Sequence, residues 1–124
     1  MKILCQLLTL FFIGASCLIA CDEGYTDIDG TCYYTSDLDV LAIFATNSGM
    51  GSEYGDVIGM GTQTWDENGR LTWWWCQSEN ALEYGTIPSE IGNLTSLISL
   101  SITYNWMTGE IPESIGNLSN LTFL

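Results

Sequence analysis

The sequence predicts an α/β solenoid in which short parallel strands follow an N-terminal cap with one helix. Two observations carry that expectation. First, residues 87–100, IPSEIGNLTSLISL, recur as residues 111–124, IPESIGNLSNLTFL. Ile111 follows Ile87 by 24 residues, and two Ile, a Pro, a Gly, an Asn and three Leu repeat in register. A fixed period of this length marks units that bury their apolar faces only against neighbouring units. Second, the residues ahead show two other patterns. Apolar residues fall at helical spacing around residues 38–45, and a β-rich run, LTWWWC, occupies residues 71–76.

The chain opens as an export signal. Met1 and Lys2 give a short positive start, and a mostly apolar stretch runs to Leu18, Ile19 and Ala20 ahead of Cys21. The organisation expected is therefore a signal peptide over residues 1–20, a cap over 21–75 and repeats over 76–124. Residues 22–34 form a turn-rich acidic stretch. Ser36 is placed to cap a helix whose first turn carries Asp37 and Asp39, acids that favour the positive end of a helix dipole. Leu38, Leu41, Ala42 and Ala45 give its apolar face, and Asn47, Ser48 and Gly49 its stop. Residues 49–61 are glycine-rich and read as a turn-rich excursion; no strand precedes them and no helix start follows, so they do not make a phosphate loop. Residues 66–69, DENG, read as a turn that lacks the spaced acids of a calcium loop. Alternation along residues 71–76 puts Trp73 and Trp75 on the face opposite Trp74.

Charge narrows the partners. The chain carries a formal charge of −13, with Lys2 and Arg70 as its only cations and no His. Losing Lys2 with the signal takes −13 to −14 and leaves Arg70 alone. Nucleic acid is not expected as a partner, because phosphate binding needs several basic side chains, and anionic lipid is repelled as well. No His is present for a triad or for base catalysis near neutrality, and no spacing selects a carboxylate pair, so an enzyme is not expected. No cofactor is implied. Zinc is not expected either, since three Cys without CxxC spacing make a poor tetrahedral site.

After the signal, Cys21, Cys32 and Cys76 remain, and an exported chain is expected to pair its thiols. Leu18-Ile19-Ala20-Cys21 resembles a bacterial lipobox, in which the Cys is lipidated. In that case Cys32 and Cys76 can form a bridge. Alternatively Cys21 pairs with Cys32 across the short segment between them. Parity leaves both readings open.

One full unit reads Leu94-x-x-Leu97-x-x-Leu100-x-Ile102-x-x-Asn105-x-Met107-x-Gly109-x-Ile111-Pro112-x-x-Ile115-Gly116. It resembles the plant-type leucine-rich repeat, with Met107 where Leu is usual. The segment ahead resembles the N-terminal cap of such proteins and, over residues 21–34, the start of secreted microbial repeat proteins. Here Leu97, Leu100, Ile102, Met107, Ile111 and Ile115 point into the coil. Burying each stabilises by roughly 1.5–3 kcal/mol. Asn105 satisfies backbone groups where the strand turns, Gly109 permits a conformation that side chains resist, and Pro112 fixes the return.

If Leu100 and Ile102 face inward, Ser99, Ser101, Thr103 and Tyr104 line the opposite side of the strand. A shift by one unit puts Phe123 beside Ser99, with Trp75 on its other side and Gln77 beside Ser101. Trp75, Ser99 and Phe123 then form a contact stripe, since aromatics dominate binding hot spots. The competing reading makes residues 73–75 part of the first coil's core.

The resemblance implies an exported module that binds a protein or peptide ligand, or a glycan, located outside the cell or on its surface. A structural or adhesive surface protein and a receptor ectodomain are the alternatives. Leu124 stands where Leu100 stands one unit earlier, in mid-strand, so the chain reads as a piece of a longer, truncated array. Expression with export should give a product whose intact mass begins at Cys21. A mass raised by a diacylglyceryl group marks lipidation, and a mass that retains residues 1–20 contradicts cleavage.

Overall fold

The computed structural model describes residues 21–50, 53–77 and 84–124. The expected signal peptide, with Cys5 and Cys17, lies outside the described residues. The architecture is mixed, with one long helix, short strands and two 3₁₀ turns.

The chain begins with an antiparallel hairpin, β1 (Tyr25–Ile28) and β2 (Thr31–Tyr34). The two-residue turn between them has both Asp29 and Gly30 at positive φ, 52° and 84°. That is the mirror-image turn whose twist matches paired strands, and the Asp27 carboxylate accepts the Gly30 amide at 2.8 Å. The hairpin folds Cys21 back onto Cys32, and the two form a disulfide with Cα atoms 5.6 Å apart. This settles the alternatives left by parity. Cys32 is joined to Cys21, so the Cys32–Cys76 bridge is not made, and a sulfur held in a disulfide does not support lipidation of Cys21. Cys76 is instead buried in the core.

Helix α1 (Thr35–Asn47) follows β2 without a break. Its cap position is Tyr34 and no side chain caps it, so Ser36 does not play the part expected of it. Neighbouring backbone already occupies this junction: the Tyr34 amide donates to Gly69 O and the Thr35 amide to Gly24 O. The helix stops as expected at Ser48 and Gly49. The Gly49 amide bonds Thr46 O, the Met50 amide bonds Ala45 O, and Gly49 takes φ +70°, the left-handed closure that glycine adopts most readily. The helix buries Leu38, Val40, Leu41, Phe44 and Ala45.

The glycine-rich segment is more than an excursion. Helix α2 (Tyr54–Val57) lies within it, and Val57 and Met60 are both in the core. Strands β3 (Thr62–Trp65) and β4 (Leu71–Gln77) then form a second antiparallel hairpin around the expected turn. Asp66 Oδ1 accepts the amides of Asn68 and Arg70 there. Thr64 pairs with Trp73 and Trp65 with Leu71, so Thr72 bulges out of β4. The bulge breaks alternation and lets Leu71 and Trp74 both face the core.

The repeats continue the sheet. Strand β5 (Tyr84–Gly85) pairs in parallel with β7 (Trp106–Met107), and β4 pairs in parallel with β6 (Ser99–Thr103). Phe123 bridges to Ser99 on the far side of β6. Pro88 and Pro112 each precede a 3₁₀ turn, Ser89–Asn93 and Glu113–Asn117, and the two turns stack. Side chains bond successive units, and five of them donate to a carbonyl of the unit before. Asn105 donates to Cys76 O, Thr108 to Gly85 O, Ser114 to Ser89 O, Asn120 to Thr95 O and Thr122 to Ile98 O. Each such bond adds a net stabilisation of about 0.5–1.5 kcal/mol.

One core joins cap and repeats. Leu38, Leu41, Phe44, Leu71, Trp74, Ile91, Leu94, Leu97 and Leu100 are all buried in it. Phe44 meets Trp74 edge-on with centroids 4.8 Å apart, and the Trp74 indole N–H donates to Met60 O. Ile102, Met107 and Ile115 pack partly buried against this core. Ile111 does not, being 62% exposed. Its counterpart Ile87 has a second unit beside it, whereas nothing among the described residues stacks over Ile111.

A buried ion pair locks the cap to the sheet. Asp37 is fully buried, and its carboxylate accepts Arg70 Nε at 2.9 Å, Arg70 Nη2 at 3.1 Å and the Leu71 amide at 2.9 Å. The guanidinium lies 4.3 Å from the Tyr34 ring centroid and also reaches Thr95 Oγ1. The hydrogen bond that the Arg70 guanidinium donates to Asp37 holds it above its ordinary pKa, against the opposing effect of burial. Asp37→Ala or Arg70→Ala alone should cost about 3–5 kcal/mol in urea unfolding, while replacing both by Met should cost far less. Equal losses for the single and double variants would contradict this account.

Candidate functional site

The three strands β3, β4 and β6 present one face to the core and one outward. Strand pairing sets the outward side chains in rows. Thr62 lies opposite Trp75, which lies opposite Ser101; Thr64 lies opposite Trp73, which lies opposite Ser99, with Phe123 beyond; Gln77 lies opposite Thr103. The indoles of Trp73 and Trp75 are 43% and 44% exposed, with ring centroids 5.7 Å apart and planes tilted by 39°. Phe123 is also exposed.

Phe123 thus sits beside Ser99, but the other neighbour differs from the sequence expectation. Trp73, not Trp75, lies opposite Ser99, and Trp75 and Gln77 lie opposite Ser101 and Thr103. The cause is spacing. Trp73 pairs with Ser99 across 26 residues, whereas Ser99 bridges Phe123 across 24. The first unit is longer on this side, so a uniform shift misplaces its partner by two positions.

Ser99 also differs in accessibility. It faces outward yet is only 2% exposed. Its hydroxyl accepts the Trp75 indole N–H at 3.0 Å, so the hydroxyl holds the indole from below. The tryptophan run divides its work: Trp74 fills the core while Trp73 and Trp75 stay outside. Core closure holds for Trp74 alone, and the other two lie on the outer face of the sheet.

Tyr104 stands at the end of β6, 85% exposed and with φ +56°, a conformation that costs a non-glycine residue of order 1 kcal/mol. The structural candidates lie behind the face. Asn105 donates its side-chain amide to both Cys76 O and Thr103 O, bridging two units at the strand end. Gly109 takes φ +87°, and Pro112, at φ −61°, leads into the second 3₁₀ turn. Sequence reasoning did not single out Thr62 and Thr64. They belong to the face only because β3 pairs antiparallel with β4. The one signal for that was the DENG turn between two β-prone runs.

No family model and no curated protein matches the chain. Solved structures resemble it in fold, among them the following two. The crystal structure of a plant ice-binding protein superposes with a TM-score of 0.59 at 23% identity, covering 73% of this chain and 32% of that one. The leucine-rich-repeat ectodomain of the receptor kinase SOBIR1 from Arabidopsis thaliana superposes with a TM-score of 0.54 at 24% identity, covering 73% and 52%. The chain therefore spans about a third and about half of those two structures. At such identities the likeness is one of fold. The Cys21–Cys32 disulfide fits an oxidising compartment, and among the described residues no helix is long and apolar enough to cross a membrane.

Placement of the tryptophans predicts unequal costs. Trp74→Ala should destabilise by about 3–5 kcal/mol. Trp73→Ala and Trp75→Ala should each cost about 1 kcal/mol or less. Chemical denaturation of the three variants measures this, and a costly Trp73 substitution would contradict its outward placement.

Proposed function

We propose that this chain is part of an exported, leucine-rich-repeat binding module, with the outward face of β3, β4 and β6 as its contact surface. The observation that carries this reading is the exposure of Trp73 and Trp75, side by side on a sheet whose other face packs against the core. Exposed aromatics on a rigid scaffold offer large contact area at low entropic cost. In this reading the coils form a solenoid, supported by parallel pairing, by the stacked 3₁₀ turns and by the bonds from each unit to the one before it. The disulfide supports a location outside the cell. The activity is binding rather than catalysis, and the ligand is extracellular.

A labelled chain tested for binding to the extracellular material of its source provides the check. Ser101→Arg together with Thr103→Arg, on the contact face, should reduce binding about tenfold or more. Asn93→Arg together with Glu113→Arg, on the 3₁₀-turn side, should leave it nearly unchanged. The reverse pattern overturns the assignment of the face.

A further inference from the structure

We infer that the outward face of β3, β4 and β6 recognises a neutral glycan, with the indoles of Trp73 and Trp75 as its stacking platform. This inference rests on the contact face proposed above and names its ligand class.

The first ground is charge. The chain carries 15 acidic residues, yet none lies on the outward side of these three strands or at Phe123. A net charge of −13 gives the molecule a negative field that disfavours nucleic acids, sulfated or uronic glycans and acidic peptides. A basic peptide would be drawn to the molecule, but it would find no carboxylate on this face to pair with. A ligand matched to an uncharged surface on a polyanion is itself uncharged.

The second ground is the kind of side chain present. The outward positions of the strands are Thr, Ser, Gln and Trp, joined by Phe123. No Leu, Ile, Val or Met is among them. Protein-binding hot spots seat their anchors in apolar, water-excluding surroundings. Here hydroxyls and an amide surround bare aromatic rings instead. A pyranose ring has the complementary surfaces. Its C–H groups pack on an indole, and its equatorial hydroxyls exchange hydrogen bonds with Thr62, Thr64, Gln77, Ser101 and Thr103, whose side chains both donate and accept.

The third ground is preorganisation. Ser99 is buried and its hydroxyl accepts the Trp75 indole N–H. The polar edge of that ring is thereby satisfied by the protein, while the residue stays 44% exposed. Trp73 leans against it at 5.7 Å. Rings held in place before binding lose little freedom on contact. The plane of Thr and Ser hydroxyls alone would also suit an ice surface. Two half-exposed indoles stand among those hydroxyls and favour a ligand that stacks over a flat one.

The test uses the full disulfide-bonded chain against three immobilised panels: neutral polysaccharides (glucans, mannans, xylans, galactans), acidic polysaccharides (heparin, alginate) and a random peptide library. Retention on at least one neutral polysaccharide is expected, with a blue shift of tryptophan emission. Trp73→Gln and Trp75→Gln should each weaken retention about tenfold or more. Trp73→Phe should keep most of it, and Trp75→Phe, which keeps a ring but loses the bond to Ser99, should fall between Trp75→Gln and the parent, with near-ultraviolet circular dichroism confirming that every variant is folded. Failure to bind any neutral polysaccharide overturns the inference. Trp-dependent binding of peptides, or Trp-dependent inhibition of ice growth, in place of glycan binding overturns it too but leaves the contact face standing. Binding that ignores both tryptophans overturns the inference and the contact face together.

Discussion

The fold depends on a carboxylate with nowhere else to go. Asp37 is fully buried on the inner side of α1, where an unpaired charge would cost several kcal/mol. Arg70, the only basic side chain among the described residues, meets it with two N–H groups, and the Leu71 amide supplies a third bond. This fixes the start of β4 against the helix. It thereby fixes where the bulge at Thr72 falls, and with it which tryptophans point inward. Removing the pair would loosen both the cap and the register of the sheet on which the outward face is built.

That face is a by-product of how the inner face is satisfied. Trp74 enters the core to meet Phe44 and Met60, so its two neighbours on β4 must face out. Ser99 then converts one of them from a loose side chain into a fixed one. The parallel partner β6 contributes only small hydroxyl residues outward, which leaves the indoles uncovered. The packed core and the exposed aromatic face therefore draw on the same seven-residue strand.

Much of this was legible in the sequence. The 24-residue period located the stacked turns and the bridge between Ser99 and Phe123, because those units differ little in length. Residues 38–49 gave a helix and its stop, and residues 71–76 gave a strand with Trp74 opposed to its neighbours. Local rules failed where tertiary contacts override them. Ser36 could cap a helix, but the Tyr34 and Thr35 amides at that junction already donate to the carbonyls of Gly69 and Gly24. Asp37 looked like a residue favoured by the helix dipole, and only the fold brings Arg70, 33 residues away, to its side. The Asp29–Gly30 turn carried a hairpin signal that was read only as a turn, and without that hairpin the pairing of Cys21 with Cys32 could not be chosen. The slip of Trp75 relative to Ser99 came from extending one period into a first unit of different length.

Five side-chain bonds between units run from a later side chain to an earlier carbonyl. Backbone carbonyls are present whatever the residue, so an earlier unit needs no particular side chain to receive its successor. Lengthening or shortening such an array by whole units leaves none of these five donors stranded on the portion that stays. Gene duplication can therefore vary the number of coils while the disulfide-bonded cap remains untouched.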